Sequence, residues 1–542
     1  MAPTVPTPTL SFHPHLFLFG SVKMQHNPDL KAELREPSDT DSKVNGNNYL
    51  EKLETGGLAP WSTHIAGDAA NLTPEHRDYL LKRHGTLELD PMPGFGDADP
   101  LNWQTWKKTV NLLLVAFHAM MSTFTAAAII PAYFNIHEDL GCSIQRASYL
   151  TSLQIAILGG APLFWRPLSV RYGRRPIWLI STICSLVCNI GCAYSHSYAS
   201  MAACRALVAF FISPAGAIGS GVVGETFFKR ERGKYMGIWT LMVTLGVPLG
   251  GFTMGFVANN VGYRWIYYIL AMINGAQFIL YIFFGPETRY MRQGVEHRGS
   301  DLKQEYWSFR RIDPTPLRAW DFIQPLTMGR HATVMIPAAA YSMVFLLTSI
   351  LVTVEIPQLF QEKFEFNAQQ IGYQFASIII GAIIGEQLGG VLSDSWMKRG
   401  ARKMSAGHRP QPEYRLWLSY AGFLLGIVGY IVFLIQTEDI TKWNVTPLIG
   451  AAIAAVGNQI VTTVLITYAV DCHQEEAASI GVFITFVRQI WGFIGPFWFP
   501  QMFESIGLKA SAGVGTALMI GVSVVPTIYL HFRGRSRRTS DE

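Results

Sequence analysis

Twelve apolar runs, each close to the length that a bilayer core demands, constrain this chain more than any other feature. The hydrocarbon core is about 30 Å thick, so a helix rising about 1.5 Å per residue needs about 20 apolar residues to cross it. Runs of this kind lie near 109–131, 147–168, 176–194, 199–222, 234–257 and 265–285. Six more lie near 331–353, 372–392, 415–436, 446–468, 479–500 and 511–532. Lipid offers the backbone no hydrogen-bond partner, so each run must satisfy itself as a helix. The expected fold class is an all-α membrane protein with twelve transmembrane helices in two six-helix, pseudo-symmetric halves.

The polar remainder divides the chain. Residues 1–108 read as a cytoplasmic, disordered tail, 109–285 as the first half and 286–330 as a central linker. Residues 331–532 form the second half and 533–542 a basic tail. No basic start followed by an apolar core marks a secretory signal, and Leu16 to Gly20 is too short to be one. The first span is therefore the expected targeting signal.

Lysine and arginine set the orientation, because cationic flanks stay on the cytoplasmic side. Arg171, Arg174 and Arg175 follow span two; Lys229, Arg230, Arg232 and Lys234 follow span four; Lys398, Arg399, Arg402, Lys403 and Arg409 follow span eight. The intervening loops carry about one basic residue each, Arg146, Arg264, Lys363, Lys442 and Lys509. Both termini and the linker are thus expected in the cytoplasm. The loop after span ten, Asp471-Cys-His-Gln-Glu-Glu, departs from the rule. The formal net charge of +5 falls between apolar runs instead of forming one patch, which argues against nucleic acid.

The six cysteines suggest no disulfide framework. Cys184, Cys188 and Cys192 share a helix face, but no histidine or carboxylate accompanies them, so small-residue packing is read there and no metal. The loops hold no phosphate-binding glycine and lysine loop, no His-Glu-x-x-His and no serine elbow. An enzyme and a cofactor are not expected.

The halves echo each other. Arg166-Pro-Leu-Ser-Val170 leaves span two as Gly390-Val-Leu-Ser-Asp394 leaves span eight, at matching distances from the starts of spans one and seven.

Five places then resemble the major facilitator superfamily, and within it the fungal twelve-span drug:proton antiporter group. Asp97-Ala-Asp-Pro-Leu-Asn-Trp103 looks like that group's lead-in, and Arg171-Tyr-Gly173-Arg174-Arg175 like the basic part of the superfamily motif after span two. Arg205 stands where the group carries a span-four arginine. Glu231-Arg-Gly-Lys234 opens span five, and Gly246-Val-Pro248-Leu-Gly250-Gly251 resembles the antiporter motif within it. Gly285-Pro-Glu-Thr288 closes span six in the same style. The resemblance implies the major facilitator fold and a proton-coupled exporter of a drug, toxin or secondary metabolite. Two departures stand out. Arg166 and Val170 occupy the glycine and acidic places of the motif after span two, leaving only Asp394, with Gly390, in the second repeat.

An ionisable group at membrane depth is costly, so each one invites a role. By rise per residue, His118 and Arg488 lie about 14 Å into spans one and eleven, Glu386 about 22 Å into span eight and Arg205 about 9 Å into span four. Glu386 is the first candidate for a proton-linked carboxylate, weighed against packing with Gln387. Arg205, Arg488, Gln489 and His118 follow as pathway candidates, and Gln154 and Asn458 as hydrogen-bonding groups facing substrate. Trp239, Tyr341 and Phe486 would suit a flat ligand. Gly246, Pro248, Gly250 and Gly251 are read as making span five deformable. Glu355-Ile-Pro357 is placed at the outer end of span seven, where its charge reaches water. Asn444-Val-Thr446 is a weak glycosylation sequon in an outward loop, and Asn71-Leu-Thr73 is cytoplasmic by topology.

The leading expectation is a monomeric exporter in the plasma membrane, or in the vacuolar membrane, moving a small molecule against protons. Two alternatives stand beside it. One is uptake of a polyamine-like or nutrient cation; the other is a membrane sensor that keeps the fold without transport.

Overall fold

The computed structural model describes residues 72–292, 301–307, 309, 311–402 and 411–541. Lys403, Arg409 and Asn71 lie outside the described residues, as does most of the polar tail. Helices are the regular secondary structure of the described residues, and twelve of them are long and apolar enough to cross a membrane.

Spans one to six are Thr105–Leu140, Ile144–Tyr172, Arg174–Ala193, Tyr198–Thr226, Lys229–Asn260 and Arg264–Phe284. Spans seven to twelve are Ala332–Phe364, Ala368–Gly400, Pro412–Asp439, Thr446–Cys472, Ala477–Phe497 and Phe499–Gly534. Most outrun their apolar cores. The backbone stays helical until a cap or a break satisfies its terminal groups, as Ser143 does for the N–H of Arg146 and Ser197 does through a capping box with Ser200. Connectors are correspondingly short. Spans two and three are joined by Gly173 alone, whose φ of 96° is open to glycine and strained for other residues.

Span seven changes the reading of Glu355. A π-helical turn at Leu346–Leu351 carries the span on to Phe364, so Glu355 sits inside the helix and not at its watery end. It is 1% exposed.

The lead-in is also folded, although its polar composition suggested a loose tail. A helix, Pro74–His84, is capped by the Thr73 hydroxyl and stopped by Gly85 at a φ of 72°. Arg83 donates to the Asn102 carbonyl at 2.7 and 2.9 Å, and Arg292 of the linker clasps Asp99 at 2.8 and 3.0 Å. The linker reaches the same face of the bundle through Lys107 to Glu305 at 2.6 Å and Arg171 to Asp313 at 2.8 Å. We call this the linker face.

Packing differs between the two faces. Away from the linker, one apolar core takes side chains from both halves, among them Phe124, Tyr133 and Tyr267 with Phe360, Phe375 and Phe433. Toward the linker the core divides. Leu114, Trp165, Trp178 and Tyr281 cluster within the first half, while Tyr341, Phe423, Leu465 and Phe483 cluster within the second.

Small residues close the undivided side. A Cβ at Gly255 of span five would lie 2.6 Å from the Ala368 carbonyl oxygen of span eight, and one at Gly251 2.7 Å from the Phe375 ring. Span two meets span eleven likewise, with Gly159 against the Gln489 Cβ and the Tyr149 and Phe497 rings 4.5 Å apart. Nearer the linker face, Gly233 and Gly237 of span five and Gly390 of span eight have no such neighbour within 4 Å. The halves therefore share one core on one side and keep separate cores on the other, where their contacts are sparser and polar, as Arg166 to Ser479 at 3.2 Å.

Candidate functional site

Between the two separate cores lies a polar stretch, called the gap below, and its apex is a hydrogen-bonded group. Gln459 of span ten donates its amide hydrogens to Glu386 of span eight at 2.9 Å and to Thr244 of span five at 3.1 Å. One side chain thus joins an acid of the second half to a hydroxyl of the first. Asn458 donates to the Gln459 amide oxygen at 3.2 Å, while its own Oδ1 has no hydrogen-bond partner among the described residues. Buried polar groups are normally paired, so an orphaned oxygen here invites a ligand or water.

Arg488 and Gln489 come from span eleven. Gln489 is buried against Gly159 at the boundary between the halves. The Arg488 guanidinium donates to the Tyr341 hydroxyl at 2.9 Å and lies 4.8 Å from the Phe345 ring centroid and 5.8 Å from that of Tyr341. Such placement over aromatic faces is favourable for a cation.

The other candidates lie elsewhere. Arg205 is 1% exposed and donates to the carbonyls of Leu150 at 3.2 Å and Ala126 at 3.4 Å, with the Tyr267 ring centroid 6.0 Å away. Ala126 lies in the last turn of the helix Thr105–Ala127, where carbonyls lack partners of their own. Arg205 thus fastens spans one, two and four. His118 is fully buried, with Tyr281 Oη at 3.2 Å and Ser181 Oγ at 3.3 Å from its ring nitrogens, so it belongs to the first-half core. Gln154 is fully buried and its amide atoms have no partner among the described residues. Asn444 Oδ1 accepts the Thr446 N–H at 3.0 Å, closing a local turn.

The motif after span two is built as a charge cluster. Arg171 pairs with Asp313 at 2.8 Å and Asp321 at 3.0 Å, and Arg174 with Glu225 of span four at 2.8 Å. Arg175 donates to the carbonyls of Tyr281 at 2.6 Å and Ile282 at 3.0 Å and also to that of Gly285. With Val170 in the acidic place, Glu287 supplies a carboxylate to the N-terminus of span three. It accepts the N–H groups of Arg174 at 2.8 Å and Arg175 at 2.9 Å. Burial pushes this carboxyl up, against the pull of those donors and the Arg289 N–H.

The second half repeats the cluster. Arg174 also donates to Ser169 at 2.6 Å; correspondingly Arg415 donates to Ser393 at 2.5 Å and pairs with Asp471 at 3.0 Å. Ser169 and Ser393 occupy matching places in the two repeats, and Glu225 and Asp471 close spans four and ten alike. This explains the acidic start of the loop after span ten. Asp394 itself is exposed.

Two of the sequence candidates, Glu386 and Asn458, therefore meet at the apex through Gln459, with Arg488 and Gln489 on the neighbouring wall of span eleven. Gln459 and Thr244 escape a reading of the sequence, since nothing sets them apart from the other amides and hydroxyls of the apolar helices until their partners are seen. Span five keeps its close packing near the motif. A Cβ at Gly250 would lie 2.7 Å from the Phe124 carbonyl oxygen, and one at Gly246 would strike Thr123 and the Met120 carbonyl. Pro248 sits buried between them.

Similarity to known proteins agrees with this architecture. The profile described as Major Facilitator Superfamily matches residues 112–496. The chain is 25% identical over 454 residues to the "Efflux pump radE" of Floropilus chiversii, covering 81% of this chain and 83% of that protein. It is 27% identical over 456 residues to the "MFS-type transporter atr4" of Stereocaulon alpinum, covering 82% and 81%. Against the "Efflux pump FUB11" of Gibberella moniliformis it is 25% identical over 497 residues, covering 90% and 83%.

Proposed function

The chain belongs to the Major Facilitator Superfamily, and from that premise we propose that it exports a small organic molecule in exchange for protons. It is a membrane transporter and not an enzyme. The observation that carries the export mechanism is the divided core. Halves that share one core on one side and part on the other, around a polar apex, suit a site exposed to alternate faces by rocking.

The linker face carries Arg171, Lys229, Arg230, Lys398 and Arg399, and the positive-inside rule supports reading it, with both termini, as cytoplasmic. The conformation is then open inward, ready to load cargo from the cell. Glu386 is the proton carrier in this reading, because it is the acid of the apex and its hydrogen-bond partner also touches the opposite half. The names of relatives as efflux pumps favour outward movement. A monomer in the plasma membrane completes the reading.

Flux in proteoliposomes tests it. An imposed pH gradient should drive uptake of a fluorescent drug-like probe into inside-out vesicles, and a protonophore should abolish it. Flux that ignores both the gradient and the protonophore would remove the proton-coupled reading, and absence of flux for every probe would favour the sensor.

A further inference from the structure

We propose that the gap binds an organic anion, with Arg488 holding the acidic group of the cargo. This names the class of substrate and rests on the export reading above.

A guanidinium in the middle of a membrane protein needs compensation, usually from a carboxylate. Arg488 has none. Among the described residues no acid pairs with it, and its hydrogen bond goes to a neutral phenol, Tyr341. Its Nε is buried and has no partner among the described residues either. The aromatic faces of Phe345 and Tyr341 fix the guanidinium plane without cancelling its charge. A planar, forked donor held in this way is shaped to receive a carboxylate or a related oxyanion.

A second cation extends the positive wall. Arg166 leaves span two on the linker side and donates to Ser479 of span eleven at 3.2 Å. Ser479 lies nine residues before Arg488 on the same helix, so the two cations mark a path of about 14 Å from the mouth to the apex. The acids near the gap have other places. Glu386 stands on span eight with Gln459 of span ten bound to it, Glu476 lies within electrostatic reach of Arg166 at the mouth, and Asp394 is exposed at the end of span eight. Arg174, near Arg166, is paired with Glu225. The wall formed by spans two and eleven is thus positive, and the opposite wall carries the apex acid. An aromatic anion satisfies Arg488 and lies against the half-buried Phe345 ring beside it, after passing the second cation on the way in. A cation entering by the same path passes Arg166, with Glu476 near it, and meets Arg488 last.

The test uses the purified full-length protein and three probes of one shape: 1-naphthoate, neutral 1-naphthamide and protonated 1-naphthylmethylamine. Binding is read at pH 7 by ligand-induced thermal stabilisation and tryptophan quenching. Naphthoate should bind at least about ten-fold more tightly than either analogue. Arg488→Gln should erase that preference, while Arg488→Lys keeps part of it and Tyr341→Phe weakens it a few-fold. Should Arg488→Gln fail to fold, Arg488→Lys and competition by benzoate against benzylammonium in the wild type carry the test. Equal binding of the ammonium probe, no binding of naphthoate to the wild type, or an unchanged preference in Arg488→Gln would each overturn the assignment. Naphthoate binding without proton-dependent flux would leave the anion site standing and remove the export reading. Proton-driven flux of the ammonium probe without naphthoate binding would do the reverse.

Discussion

Gln459 donates to Glu386 at 2.9 Å while the same amide nitrogen reaches Thr244 of the other half at 3.1 Å. The acid and the contact between halves therefore share one side chain, which is the arrangement a coupling group needs. A carboxylate only accepts, whereas its protonated form also donates, so a proton on Glu386 changes what Gln459 has to offer Thr244.

Glu386→Gln removes the charge and keeps the shape. Gradient-driven accumulation should fall about ten-fold or more, the loss typical of a missing proton-transfer group, while downhill counterflow persists. The pH dependence of flux should flatten. Counterflow lost in parallel with accumulation would show that Glu386 shapes the site without coupling it.

The undivided side can be locked. Asn259 of span five and Gln369 of span eight meet at 3.4 Å across the boundary between the halves. In Asn259→Cys with Gln369→Cys, oxidation should stop transport and a reductant should restore it. Full transport by a protein shown by mass spectrometry to be cross-linked would mean this side need not open.

Gly255 and Gly237 lie on one helix with opposite demands. A methyl group at Gly255 meets backbone, with Ala368 O at 2.6 Å and Gly372 Cα at 2.9 Å, whereas one at Gly237 meets nothing within 4 Å. Gly255→Ala should cost about 1–3 kcal/mol through overpacking. Gly237→Ala should be neutral or favourable by up to about 1 kcal/mol from helix propensity. Thermal unfolding in one detergent compares the two.

Arg205 serves the fold of the first half. Arg205→Leu leaves the Ala126 carbonyl at the end of its helix without this donor, and the loss should be about 2 kcal/mol. Arg205→Lys cannot reach Leu150 and Ala126 with a planar fork, so it should recover little. The readout is again the melting temperature, with binding of a probe measured below it. Wild-type stability in Arg205→Leu would refute this role.

Run length and charge in the loops make the twelve helices legible in the sequence, because a bilayer leaves the backbone so few choices. Local polar chemistry is less legible. Glu355 reads as an end residue because Pro357 suggests a break, yet a π-helical turn carries the helix past it. The lead-in reads as loose tail, but Asp99 and Asn102 are fully buried, Asp99 by a partner far along the chain. Val170 reads as the loss of a carboxylate that Glu287 provides from beyond span six. Each of these depends on contacts or backbone geometry that periodicity does not encode.

The repeated clusters Arg174, Ser169, Glu225 and Arg415, Ser393, Asp471 each lie wholly within one half. Among the described residues, no ion pair joins one six-helix half to the other. Rocking then breaks no salt bridge between them: it has only to exchange hydrogen bonds such as Gln459 to Thr244, Arg166 to Ser479 and Asn259 to Gln369 while backbone and methyl groups slide.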